Sequence, residues 1–161
     1  MPHESRLSRE LRILLQSRRI AALGTTDTDG NPFVSMVPFA ACPALNRIVI
    51  HVSGLAAHTR NLQDRPVVSL LVTEGETPNE PVHALQRLTI QGRASVLEQG
   101  DDEWRACRSA YLSRFPEAES MTQLNDFRFV AIEADHGRHV AGFGTARDVT
   151  PEEIARILKP A

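Results

Sequence analysis

The sequence predicts a mainly β domain, a small closed antiparallel barrel of six or seven strands with peripheral helices. Three observations predict it. Short apolar or alternating runs of strand length recur along the chain. Most are joined by tight-turn signals. Helical patterns occur only at the start, in one late insertion and at the end, with no regular βαβ alternation.

Residues 4–18 carry Leu7, Leu11, Leu14 and Leu15 at helical spacing and read as an amphipathic helix. Ile20 to Thr26 is a first strand. Asp27-Thr-Asp-Gly-Asn31 is a tight turn, because Gly30 and Asn31 tolerate positive φ. Pro32 to Phe39 returns as a second strand, in which Pro38 signals an edge, a bulge or a strand end. A loop holding Cys42-Pro43 leads to a third strand, Arg47 to Val52. Ser53 to Asp64 breaks the pattern and reads as a short helix or wound loop. Arg65-Pro66 stops it before the buried-type strand Val67 to Val72. After the loop Gly75 to Pro81, Arg87 to Val96 alternates and holds Gly92, which suits a bulge or barrel corner.

Asp101-Asp102 open a helix through Trp104, Cys107, Tyr111 and Leu112, with the acids at its positive end. Pro116 restarts a second short helix toward Leu124. Phe127 to Ala134 is a strand, His136-Gly137 a turn, and Arg138 to Arg147 a further strand with Gly142-Phe143-Gly144 inside it. Thr150-Pro-Glu-Glu153 is a capping box that starts a short helix over 150–158. With 161 residues, the chain fits a single domain over 1–161.

Composition excludes several functions. Of 18 cationic side chains only Lys159 is lysine, so 17 are arginines and lysine-centred chemistry is not expected. An anion would be held by arginine, histidine, hydroxyls and backbone N–H groups. A net charge of −2 advertises no nucleic-acid face, and no apolar run has membrane-spanning length. Two cysteines without C-x-x-C spacing point to a reduced, cytoplasmic protein.

The stretch Ser53-Gly-Leu-Ala-Ala-His-Thr-Arg-Asn-Leu62 is the most informative. It follows a strand, opens a helix and supplies Ser53, His58, Thr59, Arg60 and Asn61. A helix start presents free N–H groups, which suit a phosphate; the alternative is an ordinary polar loop capped by Thr59.

Four segments together resemble a known family. They are Gly30-Asn-Pro-Phe-Val-Ser-Met-Val-Pro-Phe39, the Ser53 to Leu62 stretch with Pro66-Val-Val-Ser-Leu-Leu71, Arg87-Leu-Thr-Ile-Gln-Gly92, and Val140-Ala-Gly-Phe-Gly-Thr-Ala146. The chain resembles the FMN-binding split-barrel family that includes pyridoxamine-phosphate oxidase, and looks closest to its heme-utilisation, or heme-degrading, branch. The resemblance implies an antiparallel split barrel, a homodimer and FMN at the subunit interface. It implies that Ser35, Ser53, His58, Thr59, Arg60 and Asn61 hold the flavin phosphate. Arg87 would meet the ring edge or ribityl chain, and Val37 and Pro38 would offer backbone groups.

The chain departs from the oxidase at two places. Ser35 stands where that enzyme has an arginine, and Ala57-His58 where it has an arginine–lysine pair. Its substrate-phosphate arginines have no match, so pyridoxamine phosphate is not the expected substrate. The leading expectation is an FMN-dependent oxidoreductase of unknown substrate. The alternatives are a heme-binding or heme-degrading protein and a non-catalytic flavin-binding sensor or carrier.

Members of the heme branch usually continue into a further C-terminal segment. Here the sequence ends at Ala161, so an iron ligand is expected elsewhere. His136 and His139 are the clustered pair, read as exposed turn residues whose spacing does not converge on one metal. His51, inside an apolar strand, reads as a hydrogen-bonded core or interface residue. His3 and His83 are loop residues. Cys42 and Cys107 read as inert packing, and Glu133 and Asp135 as a solvated strand face. Gly142-Phe143-Gly144 serves either close backbone packing or presentation of Phe143 to a cofactor. No residue stands out as a catalytic acid or base, and no protein metal site is expected.

Overall fold

A computed structural model describes residues 3–161. Its elements in order are α1 (Arg6–Ser17), β1 (Ile20–Thr26), β2 (Pro32–Cys42), β3 (Arg47–Ser53), α2 (Ala57–Asp64), β4 (Val67–Thr73), β5 (Arg87–Val96), α3 (Asp102–Arg114), β6 (Phe127–Val140), β7 (Ala146–Val149) and α4 (Pro151–Ile157). The strands run in the order β3-β2-β1-β4-β5-β6-β7, and a further β3–β6 pairing closes the first six into an antiparallel barrel. The seventh strand extends β6 beyond the stretch paired with β3: β6 pairs with β3 over Phe127–Ile132 and with β7 over Gly137–Val140.

Alternation along each strand builds the interior. Leu23, Val37, Phe39, Ile50, Leu70, Ile90 and Ile132 face one core, which Leu11 and Leu14 of α1 and Ile154 and Ile157 of α4 complete. A second cluster lies on the outer side of β3 and β6, where Cys107 and Tyr111 of α3 and Phe115 just after it pack on Ala40, Val49 and Phe129.

Local chemistry explains the helix starts. Ser5 accepts the Ser8 N–H at 3.1 Å, Asp101 the Trp104 N–H at 2.7 Å, and Thr150 the Glu153 N–H at 3.2 Å. Pro38 sits at a handover. It is the last residue of β2 in register with β1, opposite Ile20, and Phe39 is the first opposite β3, at Ile50. The strand continues through the proline to Cys42 instead of ending near it. The predicted bulge is present: the β5–β6 register shifts between Gln91 and Gly92.

Two expectations are corrected. His136-Gly137 is not a turn, because β6 runs unbroken through it for 14 residues. Gly137 serves close approach: a Cβ there would lie 3.0 Å from Val149 Cβ and 3.1 Å from Ile154 Cδ1, so its absence lets β7 and α4 lie against the strand. The hairpin turn falls instead at Gly142-Phe143-Gly144, where the glycines have φ of +132° and +67° and Ala141 N–H donates to Thr145 O at 2.8 Å. The helix expected after Pro116 is two separate 3-10 turns, Pro116–Ala118 and Met121–Gln123, too short for a continuous apolar stripe.

Candidate functional site

β2 carries apolar residues on both faces. Val37 and Phe39 point into the core, while Val34 and Met36 point outward and are 67% and 63% exposed. The register places Met36 opposite Ala22 of β1, and Ala22 opposite Leu71 of β4. Together with Ile20 they floor an outer groove of about 390 Å³. Arg18, at the α1–β1 junction, lines the groove and lies over Gly75, and its Nε is buried without a hydrogen-bond partner among the described residues.

Ser35 also lines this groove, and its Oγ lies 2.9 Å from Nδ1 of His58. This bond joins β2 to the first turn of α2. Burial holds the His58 pKa below the ordinary histidine value, so the ring is neutral near pH 7. Its Nε2 is buried without a partner among the described residues.

The rest of the α2 segment is knitted internally. Thr59 is fully buried and donates its hydroxyl to Ser53 O at 2.6 Å. Ser53 Oγ accepts the Leu55 N–H at 3.2 Å. Asn61 donates to Thr25 Oγ1 at 3.0 Å, and the exposed Arg60 donates to Leu55 O at 3.3 Å. The N-cap position, Ala56, has no side chain able to cap, so the first amides of α2 lack a side-chain acceptor. Ser35, Ser53, His58, Thr59, Arg60 and Asn61 thus form one neighbourhood.

Arg87 is placed apart from it. Ser35 is level with Leu23, Leu70 and Ile90 across the sheet, and Arg87 lies three residues along β5, between Thr73 and Val140, where it donates to Leu85 O at 2.9 Å. Val37 is buried in the core, its backbone in register with Ala21, and Pro38 is half-buried beside it.

The other histidines separate clearly. His136 and His139 lie on opposite faces of β6. His136 is exposed, 3.6 Å from an Asp148 carboxylate oxygen. His139 is not the exposed turn residue expected of it: it is fully buried, with Nε2 2.8 Å from Gln86 Oε1. His51 is buried as expected, but neither ring nitrogen has a hydrogen-bond partner among the described residues, and Nδ1 is sealed from solvent. Cys42 and Cys107 are buried neighbours whose thiols influence one another, lowering the Cys42 pKa and, with burial, raising that of Cys107. Glu133 and Asp135 are exposed. Among the described residues no three His, Cys, Asp or Glu side chains converge on a metal position.

Sequence reasoning missed Arg18 and the outer apolar floor. A signal was present: Val34 and Met36 alternate with inward Val37 and Phe39, so β2 is apolar on both faces, where an antiparallel strand with one face in water alternates apolar and polar.

The family model described as pyridoxamine 5'-phosphate oxidase matches residues 7–141. The chain is 32% identical over 152 residues to the heme oxygenase HutZ of Vibrio cholerae, covering 94% of this chain and 85% of that protein. It is 34% identical over 151 residues to the chloroplastic non-canonical heme oxygenase HOZ of Arabidopsis thaliana, of which it spans 44%. Among solved structures, a heme-binding protein from Mycobacterium smegmatis superposes with a TM-score of 0.84 at 28% identity; the alignment covers 96% of this chain and 62% of that one. The Vibrio cholerae HutZ structure, described as a heme storage protein, gives 0.73 at 32% identity over 80% of this chain and 89% of that one. The chain belongs to the pyridoxamine 5'-phosphate oxidase family of split barrels.

Proposed function

We propose that this protein binds heme and acts in its degradation, with the outer groove of β1, β2 and β4 as the heme-binding surface. The observation that carries this reading is the make-up of that groove: an apolar floor of Ile20, Val34, Met36 and Leu71, with the Arg18 guanidinium at its margin and an unpartnered buried Nε. Heme is a flat apolar ring bearing two carboxylates. An apolar floor beside a guanidinium is its chemical complement. Relatives whose names state heme oxygenase or heme binding support the same reading.

Bound heme would supply the iron at which oxygen chemistry takes place, while the protein binds and orients it and sets its surroundings. The floor excludes water from one side. Arg18 offers charge-assisted donation to a carboxylate. Ser35 fixes the His58 ring, whose neutral state leaves one ring nitrogen able to accept and one able to donate. His139 is committed to Gln86 inside the barrel and is not an iron ligand in this reading.

A floor this apolar is costly to leave in water. We propose that a second copy of the chain covers it, so that the cofactor lies at a homodimer interface. No helix among the described residues is long and apolar enough to cross a membrane. The two buried free thiols support a reducing, cytoplasmic setting.

One observation favours a second reading, an FMN-dependent oxidoreductase: the start of α2 has no side-chain cap, and its free amides beside Ser35 and His58 suit a phosphate. Parallel hemin and FMN titrations separate the two. In the heme reading, hemin gives a saturable Soret band and Arg18→Gln weakens binding about tenfold or more, the loss of one charge-assisted hydrogen bond. Saturable FMN binding with no saturable Soret band would replace it with the flavin reading.

A further inference from the structure

Away from the groove, on the outer side of β3 and β6 beneath α3, lies a second cavity of about 390 Å³. Trp104, Phe127 and Phe129 form an aromatic side of it with Leu97, and Glu98, Gln99, Thr122, Asn125 and Arg128 line the rest. His51 lines it and is only 7% exposed. The His51 ring stacks on Phe127 at 5.1 Å and tilts against Phe129 at 4.4 Å and Tyr111 at 5.6 Å. Neither ring nitrogen finds a hydrogen-bond partner among the described residues. Only Nδ1 is sealed in, which leaves Nε2 as the nitrogen on the cavity side.

A buried polar group without a partner carries a desolvation cost and calls for an explanation. A neutral imidazole carries its proton on one nitrogen and accepts at the other, and we assign the proton to the sealed Nδ1. That tautomer makes Nε2 a hydrogen-bond acceptor facing free space. No polar side chain of the lining is hydrogen-bonded to the ring among the described residues: Thr122 Oγ1 is taken up by Arg108 and Glu119, Arg128 Nη1 donates to the carbonyls of Asn125 and Phe127, and Glu98, Gln99 and Asn125 line the cavity without a bond to His51. The volume falls within the roughly 300–1,000 Å³ of small-molecule sites.

We propose that this cavity is a binding site for a small flat aromatic molecule bearing one hydrogen-bond donor, of the phenol or indole type. Its ring lies among Trp104, Phe127 and Phe129, and its O–H or N–H donates to His51. The site is independent of the heme groove: it lies on the other side of β3 from the barrel core and shares none of the groove's lining residues.

Trp104 is the single tryptophan of the chain, so its emission reports on this wall. The test titrates full-length protein with phenol and with toluene, which lacks the donor, while following Trp104 emission and the His51 ring nitrogens by 15N NMR. Phenol should bind saturably, about fivefold or more tighter than toluene, the scale of one neutral hydrogen bond, and should shift the His51 resonances where toluene does not. His51→Phe should erase the preference and keep the aromatic box. Because the NMR arm uses the unaltered protein, it stands even if that variant misfolds. No saturable response to phenol, equal affinity for the two probes, or a Trp104 change with unmoved His51 resonances would overturn the proposal. The last result would place binding in the open hollow along α3 that Trp104 also lines.

Discussion

His58 and His51 are seven residues apart in sequence and are both held neutral by burial, yet they differ in what holds them. His58 has Ser35 on one nitrogen. Ser35→Ala should free the ring and weaken ligand binding about three- to tenfold, the scale of one hydrogen bond, whereas Ser35→Thr should retain most of it. A competition titration of the two variants measures this. His51 has no hydrogen-bond partner among the described residues, and burial lowers its pKa to about 4. A histidine whose folded pKa lies below its unfolded value of about 6.5 stabilises the fold above that value and progressively loses the contribution as pH falls toward 4. The full shift corresponds to about 3 kcal/mol at most, less where solvent reaches the ring through the cavity. Urea midpoints at pH 7.5, 5.5 and 4.5 should therefore fall more steeply in the wild type than in His51→Phe. Equal slopes would contradict the assignment. At this scale the sequence showed that His51 was interior, from its place in the apolar run Arg47 to Val52. Whether its nitrogens were satisfied depended on the distant Tyr111, Phe127 and Phe129, which no local pattern connects to it.

Elements were legible where periodicity and capping agreed. α1, β1, β3, β4, β5 and α3 fall within a few residues of their predicted ranges. The error over β6 arose because glycine has two uses. Gly137 is there for close packing against Val149 and Ile154, and Gly142 and Gly144 for positive φ, and single-sequence reading assigned the turn to the wrong one. Gly137→Ala should thus act by displacing β7 and α4, while Gly92→Ala meets backbone directly, with a Cβ 2.3 Å from Glu133 O. We expect Gly92→Ala to be the more damaging, by about 3 kcal/mol or more in chemical denaturation, since no side-chain adjustment relieves a backbone clash. Arg114 is the main tie of the late insertion. It donates to Phe39 O at 3.0 Å, Leu15 O at 2.8 Å and Gln16 O at 2.9 Å, and also to Arg18 O, and its guanidinium lies 4.9 Å over the Phe39 ring. Three of these bonds satisfy carbonyls at the end of α1, which has no basic residue in its last turn. Arg114→Lys should cost about 2–4 kcal/mol in urea unfolding despite keeping the charge, because an ammonium cannot span four acceptors at once. A change below about 0.5 kcal/mol would contradict this role.

For the whole molecule, the closed barrel was foreseeable from strand spacing, but its outer groove was signalled only by the two apolar faces of β2. The groove is assembled from Arg18, β1, β2 and β4, whose residues come together only through the pairing order. The same non-local assembly explains why Arg87, named from family resemblance, lies along β5 from the Ser35–His58 pair within one chain. A second copy covering the groove predicts that Met36→Asp, which places a carboxylate on the apolar floor, shifts the protein toward monomer in sedimentation while leaving far-UV circular dichroism unchanged. A monomer at all concentrations for the wild type would contradict the dimer. The most direct measurement of the central claim is a hemin titration of the full chain followed at the Soret band, with Arg18→Gln alongside. Binding should saturate in the wild type and be about tenfold or more weaker in the variant. A titration with no saturation, or identical curves for the two proteins, would contradict a heme site in this groove.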